Sequence, residues 1–200
     1  MGKKDKAAKS SKTASAAGVC IIDDFLHLGP ASAASDAAFL TSKAITHVIS
    51  IGHDPPTKLD LRILADPTSI TGRATALQYH RLRLVDSGSS LASLEACVDA
   101  ACVLLEQIRA KKERVFVHCS AGISRSPTVV VAYLMRHWGK TLKEALFVVV
   151  DARPAVSPNP EFIVWLKEEE VRVRGGESTL PVDRLPAKQA DRLTLLRPQQ

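Results

Sequence analysis

The stretch that most constrains this chain runs from Val115 to Trp138. Val115-Phe116-Val117 is a short β-branched and aromatic run of the kind buried on both faces of a sheet. His118-Cys119-Ser120-Ala121-Gly122-Ile123-Ser124-Arg125-Ser126 follows at once, a loop of mostly small residues, and then Pro127 and a run to Trp138. The start of that run is β-branched and mimics a strand. Pro127 nevertheless suits a first helical position with Ser126 as the cap before it, Gly139 suits a stop, and the length favours a helix. A buried strand passing through a tight loop into a helix is the repeating step of a parallel α/β sheet, and ligands of such sheets bind beyond the carboxyl ends of the strands.

The remaining segments agree with that architecture. Ile21-Ile22, Phe25–Gly29 and Ile45–Ile51 read as short strands, with helix formers over 31–41 that Ser35 or Asp36 can cap. Tyr79–Val85 alternates polar and apolar residues, as expected of a strand near a sheet edge. Leu91, Leu94, Val98, Cys102, Leu105 and Ile108 recur at three or four residues and predict an amphipathic helix over about 91–110, with Cys97 and Cys102 as small core hydrophobes. Thr141 and Glu144 form a capping box for another helix, and Asn159-Pro160 opens a third that runs to about Arg174. The expected fold is α/β, a central, mostly parallel sheet of about five strands flanked by helices.

The formal charge is +6, but five lysines against one aspartate put +4 of it in residues 1–18, and the body 19–174 is near neutral. The basic balance thus reports a lysine tail rather than a face for nucleic acid. Residues 1–18 lack the apolar surface to offset ordering and are expected to be disordered; residues 175–200, polar and dotted with proline, are expected to be a loose tail. The body 19–174 is the expected single domain. Met1-Gly2 invites lipidation, but Lys6 stands where that motif takes Ser or Thr. With no signal peptide and no apolar run near 18 residues, a cytoplasmic or nuclear setting with reduced thiols is expected, and no membrane partner. The four cysteines, Cys20, Cys97, Cys102 and Cys119, form no C-x-x-C pair and do not match a zinc site.

The chemistry concentrates in Cys119–Ser126. Backbone N–H groups of such a loop can curl around an anion, and the helix start adds partial positive charge. Gly122 frees the tightest turn of a side chain, and the planar fork of Arg125 matches two oxygens of a phosphate. The same field favours a thiolate at Cys119, since comparable surroundings bring a cysteine pKa from about 8.5 to roughly 3.5–7.5.

The stretch resembles the signature of the cysteine-based phosphatases, His-Cys-five residues-Arg-Ser/Thr, through His118, Cys119, Gly122, Arg125 and Ser126. The run HCSAGISRSPTVVVAYLM, the later RPAVSPNPEF and the upstream LHLGPASAASDAAFLTSKAITHVISI are similar to the dual-specificity branch, so the resemblance covers about residues 19–172. It implies a protein tyrosine phosphatase-like fold and an atypical single-domain member with no metal or other cofactor. In that chemistry Cys119 attacks phosphorus to form a phosphocysteine, while Arg125 and the amides of Ser120, Ala121, Gly122, Ile123, Ser124 and Arg125 hold the phosphoryl oxygens. Asp86, 33 residues before the cysteine, is the implied general acid and then base. It also sits in Asp-Ser-Gly, which is good turn chemistry. Ser126 is either a cap, a donor to the departing thiolate, or both. His118 is implied to brace the loop and Asn159 to support it.

Relatives acting on inositol phosphates tend to carry basic residues inside this loop, whereas Ser120, Ala121, Ile123 and Ser124 bring none. A single strong charge, Arg125, suits a phosphomonoester, so a phosphoprotein substrate is expected. RNA, lipid or carbohydrate phosphate is the alternative, and a non-catalytic phosphoprotein-binding pseudophosphatase a further one. The 52–78 segment reads as a long loop able to shape substrate choice.

Overall fold

The structure is a computed structural model, described for residues 17–52, 77–86 and 91–198. Five strands form one sheet: β1 (Val19–Ile22), β2 (Leu26–Pro30), β3 (His47–Ile51), β4 (Gln78–Leu82) and β5 (Val115–Cys119). The order across the sheet is β1-β2-β5-β3-β4, with β1 antiparallel to β2 and the other pairs parallel. The described helices are α1 (Ala31–Ala34), α2 (Ala37–Ser42), α3 (Leu91–Ala110), α4 (Arg125–Trp138), α5 (Leu142–Ala152), α6 (Pro160–Arg174) and α7 (Gln189–Leu196). The expected α/β fold with a five-stranded, mostly parallel sheet is thus what the chain adopts.

The hydrophobic pattern explains the placing. All residues of β5 are buried, as a central strand covered on both faces requires, while β4, at the edge, has only exposed and half-buried residues. Most of α4 is buried as well, from Ser126 to Met135, so it is the central helix, packed between its neighbours and the sheet. Parallel register brings Cys119 opposite Pro30, and Ser50 and Gly29 opposite His118. The carboxyl ends of β2, β3 and β5 therefore meet at one edge, where the phosphate loop begins.

Local signals act where the sequence places them. Asp36 accepts a hydrogen bond from the Phe39 amide and starts α2. Thr141 and Glu144 close a reciprocal capping box at α5, and Asn159 caps α6 through Glu161 N. Helix α4 departs from expectation: it begins at Arg125, so Ser124 holds the cap position and Ser126 lies inside the first turn. Cys97 and Cys102 lie buried in α3, and burial pushes their thiols up, to about 12 and about 11. Within the described residues, no helix is long and apolar enough to cross a membrane. The expected disorder of 1–18 and the long loop over 52–78 fall mainly on residues outside those described.

The C-terminal segment is a correction to the sequence reading. Residues 175–198 are not loose. Leu180, Leu185 and Leu196 are buried in the main core, and α7 packs on α5. Glu170, buried on α6, anchors the segment: its carboxylate accepts from the Leu142 and Thr179 amides and from the hydroxyls of Ser178 and Thr179. Arg192, also buried, donates to the Pro154, Pro186 and Ala187 carbonyls. The apolar residues are few and irregularly spaced, so no periodicity advertises them, yet each fills a place in the core.

Truncating one of these anchors should be felt globally. Leu196→Ala should cost about 2–5 kcal/mol, as buried leucine truncations do, and deletion of residues 180–200 should lower the melting temperature further. Thermal unfolding followed by circular dichroism checks this; an unchanged midpoint for both variants would mean that the arm does not belong to the cooperative unit.

Candidate active site: a phosphate cradle around Cys119

Cys119 is the last residue of β5, and residues 120–124 carry the chain from that strand to the start of α4. A short loop between buried elements must place each carbonyl and each amide somewhere. Here every carbonyl from 119 to 124 is turned away from the loop's centre and accepts a hydrogen bond. His118 Nδ1 bonds to Cys119 O at 3.1 Å, and Ala31 N donates to Ser120 O at 3.0 Å. The buried Arg153 guanidinium donates Nη2 to Ala121 O at 3.0 Å and Nε to Gly122 O at 2.9 Å. Ser157 N donates to Ile123 O at 2.9 Å, and Thr128 donates both its amide and its hydroxyl to Ser124 O. With the carbonyls anchored outward, the amides are left to the interior.

The interior holds the sulfur of Cys119, a residue only 2% exposed. Gly122 N donates to Sγ at 3.3 Å. Burial pushes the Cys119 thiol up, but the Ser126 hydroxyl and the amides of Ser126, Gly122 and Ile123 outweigh it and hold the thiol below its ordinary value. The other three cysteines are shifted the opposite way, by burial in each case. The chain therefore favours the thiolate at one cysteine out of four.

Gly122 has φ +66°, in the left-handed region, and a Cβ there would come within 2.4 Å of Gly29 O. The end of β2 thus occupies the space a side chain would need. Gly52 has φ +62°, and its carbonyl accepts from Arg125 Nη1 at 2.8 Å. A Cβ on Gly52 would run into Leu84 O and the Arg125 guanidinium. The end of β3 thereby fixes Arg125 by one nitrogen. Arg125 Nε and Ser126 Oγ are buried with no hydrogen-bond partner of regular geometry; Ser126 Oγ nonetheless acts on the sulfur, favouring its anion. Leaving buried donors open costs free energy, and a tetrahedral oxyanion in the cradle offers oxygen acceptors to both.

His118 is fully buried and held from three sides. Its Nδ1 donates to the Cys119 carbonyl, so Nε2 accepts from Tyr79 OH at 2.6 Å, and its ring stacks on Phe116. His118, the residue expected to brace the loop, thus contacts the loop through the Cys119 carbonyl; Tyr79, on β4, is a partner the sequence did not single out. Ser120, Ala121 and Ile123 lie at the exposed rim, whereas Gly122 and Ser124 are buried.

Asn159 joins the cradle to the segment after β4. Its backbone N donates to Ser124 Oγ at 3.0 Å, and its side-chain Nδ2 donates to Asp86 O at 2.5 Å. Asp86 is exposed, and its carboxylate makes no hydrogen bond or ion pair among the described residues. Its backbone is tied through Asn159 to the phosphate loop. Residues 87–90 lie outside the described set. Among the described residues no group of three or more His, Cys, Asp or Glu side chains is placed to hold a metal ion.

Comparison with known proteins agrees with this geometry. The family model for the dual specificity phosphatase catalytic domain matches residues 26–172. Dual specificity protein phosphatase 1 of Arabidopsis thaliana is 35% identical over 150 residues, covering 75% of this chain and 68% of that protein. Dual specificity protein phosphatase 19 of Mus musculus is 28% identical over 172 residues, covering 85% and 68%. The match to Drosophila melanogaster Mpk3, 33% identical, covers 78% of this chain but 35% of that larger protein. Human DUSP28 superposes with a TM-score of 0.64 at 26% identity, over 78% of this chain and 95% of that structure. A mouse putative dual specificity phosphatase superposes at 0.63, also at 26% identity, over 87% and 94%. A matching family model over most of the chain, and a cradle built around the cysteine of its signature, make this protein a phosphatase that belongs to the dual specificity phosphatase catalytic-domain family.

Proposed function

We propose that this phosphatase hydrolyses phosphotyrosine and phosphoserine/threonine in proteins through a phosphocysteine intermediate. The observation that carries the reading is the outward fixing of all six carbonyls from Cys119 to Ser124, which leaves the amides and the Arg125 guanidinium to face an anion above a stabilised thiolate.

In the first step the Cys119 thiolate attacks phosphorus in line, and the bond from phosphorus to the leaving oxygen breaks. Asp86, entering protonated, gives its proton to that oxygen, so the alcohol or phenol departs neutral. Amides of the loop and the Arg125 fork hold the three equatorial oxygens, where charge builds in the transition state. In the second step Asp86, now a carboxylate, takes a proton from water as the water oxygen attacks the phosphocysteine. The sulfur leaves as a thiolate, stabilised by the Ser126 hydroxyl and the Gly122 amide, and inorganic phosphate is released. The Asn159 strap is suited to keeping the acid segment in reach while its side chain moves. Gly52 and Tyr79 act one layer further out, by fixing Arg125 and His118.

Charge and the relatives support the substrate class. The rim residues Ser120, Ala121 and Ile123 carry no charge, so Arg125 is the one cation supplied by the loop. One guanidinium and a ring of amides match a single phosphomonoester, and the dual specificity protein phosphatases named above favour a phosphoprotein over RNA, lipid or carbohydrate phosphate. The mouse structural relative was crystallised with zinc tungstate, and tungstate is a tetrahedral oxyanion like phosphate.

Two outcomes follow. The protein should hydrolyse an aryl phosphate in the presence of a metal chelator, and Cys119→Ser should abolish turnover while retaining binding of a phosphopeptide; chelator-sensitive activity that survives Cys119→Ser would reject the mechanism. Asp86→Ala should slow turnover by about 10²–10⁴ for alkyl phosphates, whose leaving groups need a proton, and much less for an activated aryl phosphate. Equal loss with both substrates, or none with either, would assign the acid to another group.

A further inference from the structure

We propose that Arg153 is a positioning residue for catalysis: by holding the Ala121 and Gly122 carbonyls behind the phosphate loop, it orients the amides that stabilise the Cys119 thiolate and bind phosphate. This inference rests on the phosphatase reading of the site and concerns how the cradle keeps its shape.

Arg153 is not in the loop or on the elements that flank it. It follows α5, 34 residues after Cys119, and is 3% exposed. Four of the six outward carbonyls are satisfied by backbone or adjacent groups that the fold supplies in any case: the His118 ring, the Ala31 and Ser157 amides, and Thr128 within α4. The two at the tightest point, in the peptides on either side of Gly122, depend on one side chain. Each hydrogen bond fixes a peptide plane. Holding Ala121 O outward sets the direction of Gly122 N, which donates to the sulfur at 3.3 Å; holding Gly122 O outward sets the direction of Ile123 N. These two amides are among those that favour the anion at Cys119. A planar guanidinium bridges adjacent carbonyls in a way that a single ammonium does not.

The seat of Arg153 is built from both ends of the body. Its Nη1 donates to Ala17 O at 3.4 Å. The next peptide is pinned by the C-terminal arm, where Arg192 Nη2 donates to Pro154 O at 2.7 Å. The Cys119 anion and the Arg153 cation also favour each other through space, against the cost of burying the guanidinium. Among the described residues, the other titratable residues tied to the loop by the contacts above are His118 from β5, Tyr79 and Asp86 from β4 and the segment after it, and Arg125 from α4. Changing Arg153 alters none of them directly.

The test is the pH dependence of Cys119 alkylation by iodoacetamide, read at that peptide by mass spectrometry, together with protection by inorganic phosphate. In Arg153→Met the thiolate fraction near neutral pH and the affinity for phosphate should each fall about tenfold, with the alkylation profile displaced to higher pH. Arg153→Lys, which keeps the charge and loses the fork, should fall between Arg153→Met and wild type. Folding is followed by the melting temperature. A variant that melts lower but retains the wild-type alkylation profile and phosphate affinity overturns the proposal, and if Arg153→Met does not fold, Arg153→Lys decides alone by the same criterion. Wild-type turnover and its loss in Cys119→Ser test the phosphatase reading separately, so failure of one is not mistaken for failure of the other.

Discussion

The site depends on where six carbonyl groups point. A loop that gathers amides around a sulfur anion must send the opposite ends of the same peptides outward, and here each of them meets a donor. A net hydrogen bond contributes about 0.5–1.5 kcal/mol, but a buried carbonyl left alone costs about 1–3 kcal/mol, so the loop holds this shape only because all six are matched. The donors come from the first residue of α1, the ring of His118, the first turn of α4 and the 153–157 segment after α5. Much of the fold is thus committed to one loop. The parallel register that brings Pro30 beside Cys119, and the sharp turn at Gly122 against Gly29, are parts of the same constraint.

The positive field that results has two uses. It offsets the burial of Cys119, which by itself pushes the thiol up, and it offers an anion more donors than water would in so small a space. Arg125 Nε, a buried donor with no partner among the described residues, and Ser126 Oγ, which favours the sulfur anion, fit this picture. Arg125 is already fixed through Gly52, so little of its side-chain freedom remains to be lost when phosphate binds. The acid segment is arranged differently. Its backbone is tied by Asn159 but its carboxylate faces solvent, which suits a group that must meet both a leaving oxygen and a water.

Sequence showed the parts whose signals are local. The strand–loop–helix order at Val115–Trp138, the capping box at Thr141, the Asn159 cap and the periodicity of the 91–110 helix all rest on residues within a few positions of one another. Cys119, Gly122 and Arg125 were legible because their chemistry needs a short spacing. What could not be read there depends on long-range pairing. Tyr79 meets His118 across 39 residues and Arg125 meets Gly52 across 73, and neither pair has a spacing rule. Arg153 opens RPAVSPNPEF, a stretch similar to the dual-specificity branch, yet nothing in its neighbours announces contact with the loop. Nothing in the sequence of residues 175–200 announces a docked arm, because its three core leucines, Leu180, Leu185 and Leu196, follow no helical or strand period; they are buried by matching gaps in a surface built elsewhere.

The account stands most directly on the ionisation of Cys119. Thiolate absorbance near 240 nm, titrated in wild type and in Cys119→Ser, isolates that sulfur as the difference between two curves, since Cys97 and Cys102 are held protonated by burial and are common to both. The difference should rise at a pH well below the ordinary thiol range of about 8.5. A step at or above that range would mean that the amides do not point where the outward carbonyls require, and the cradle would lose its claim to arm the cysteine.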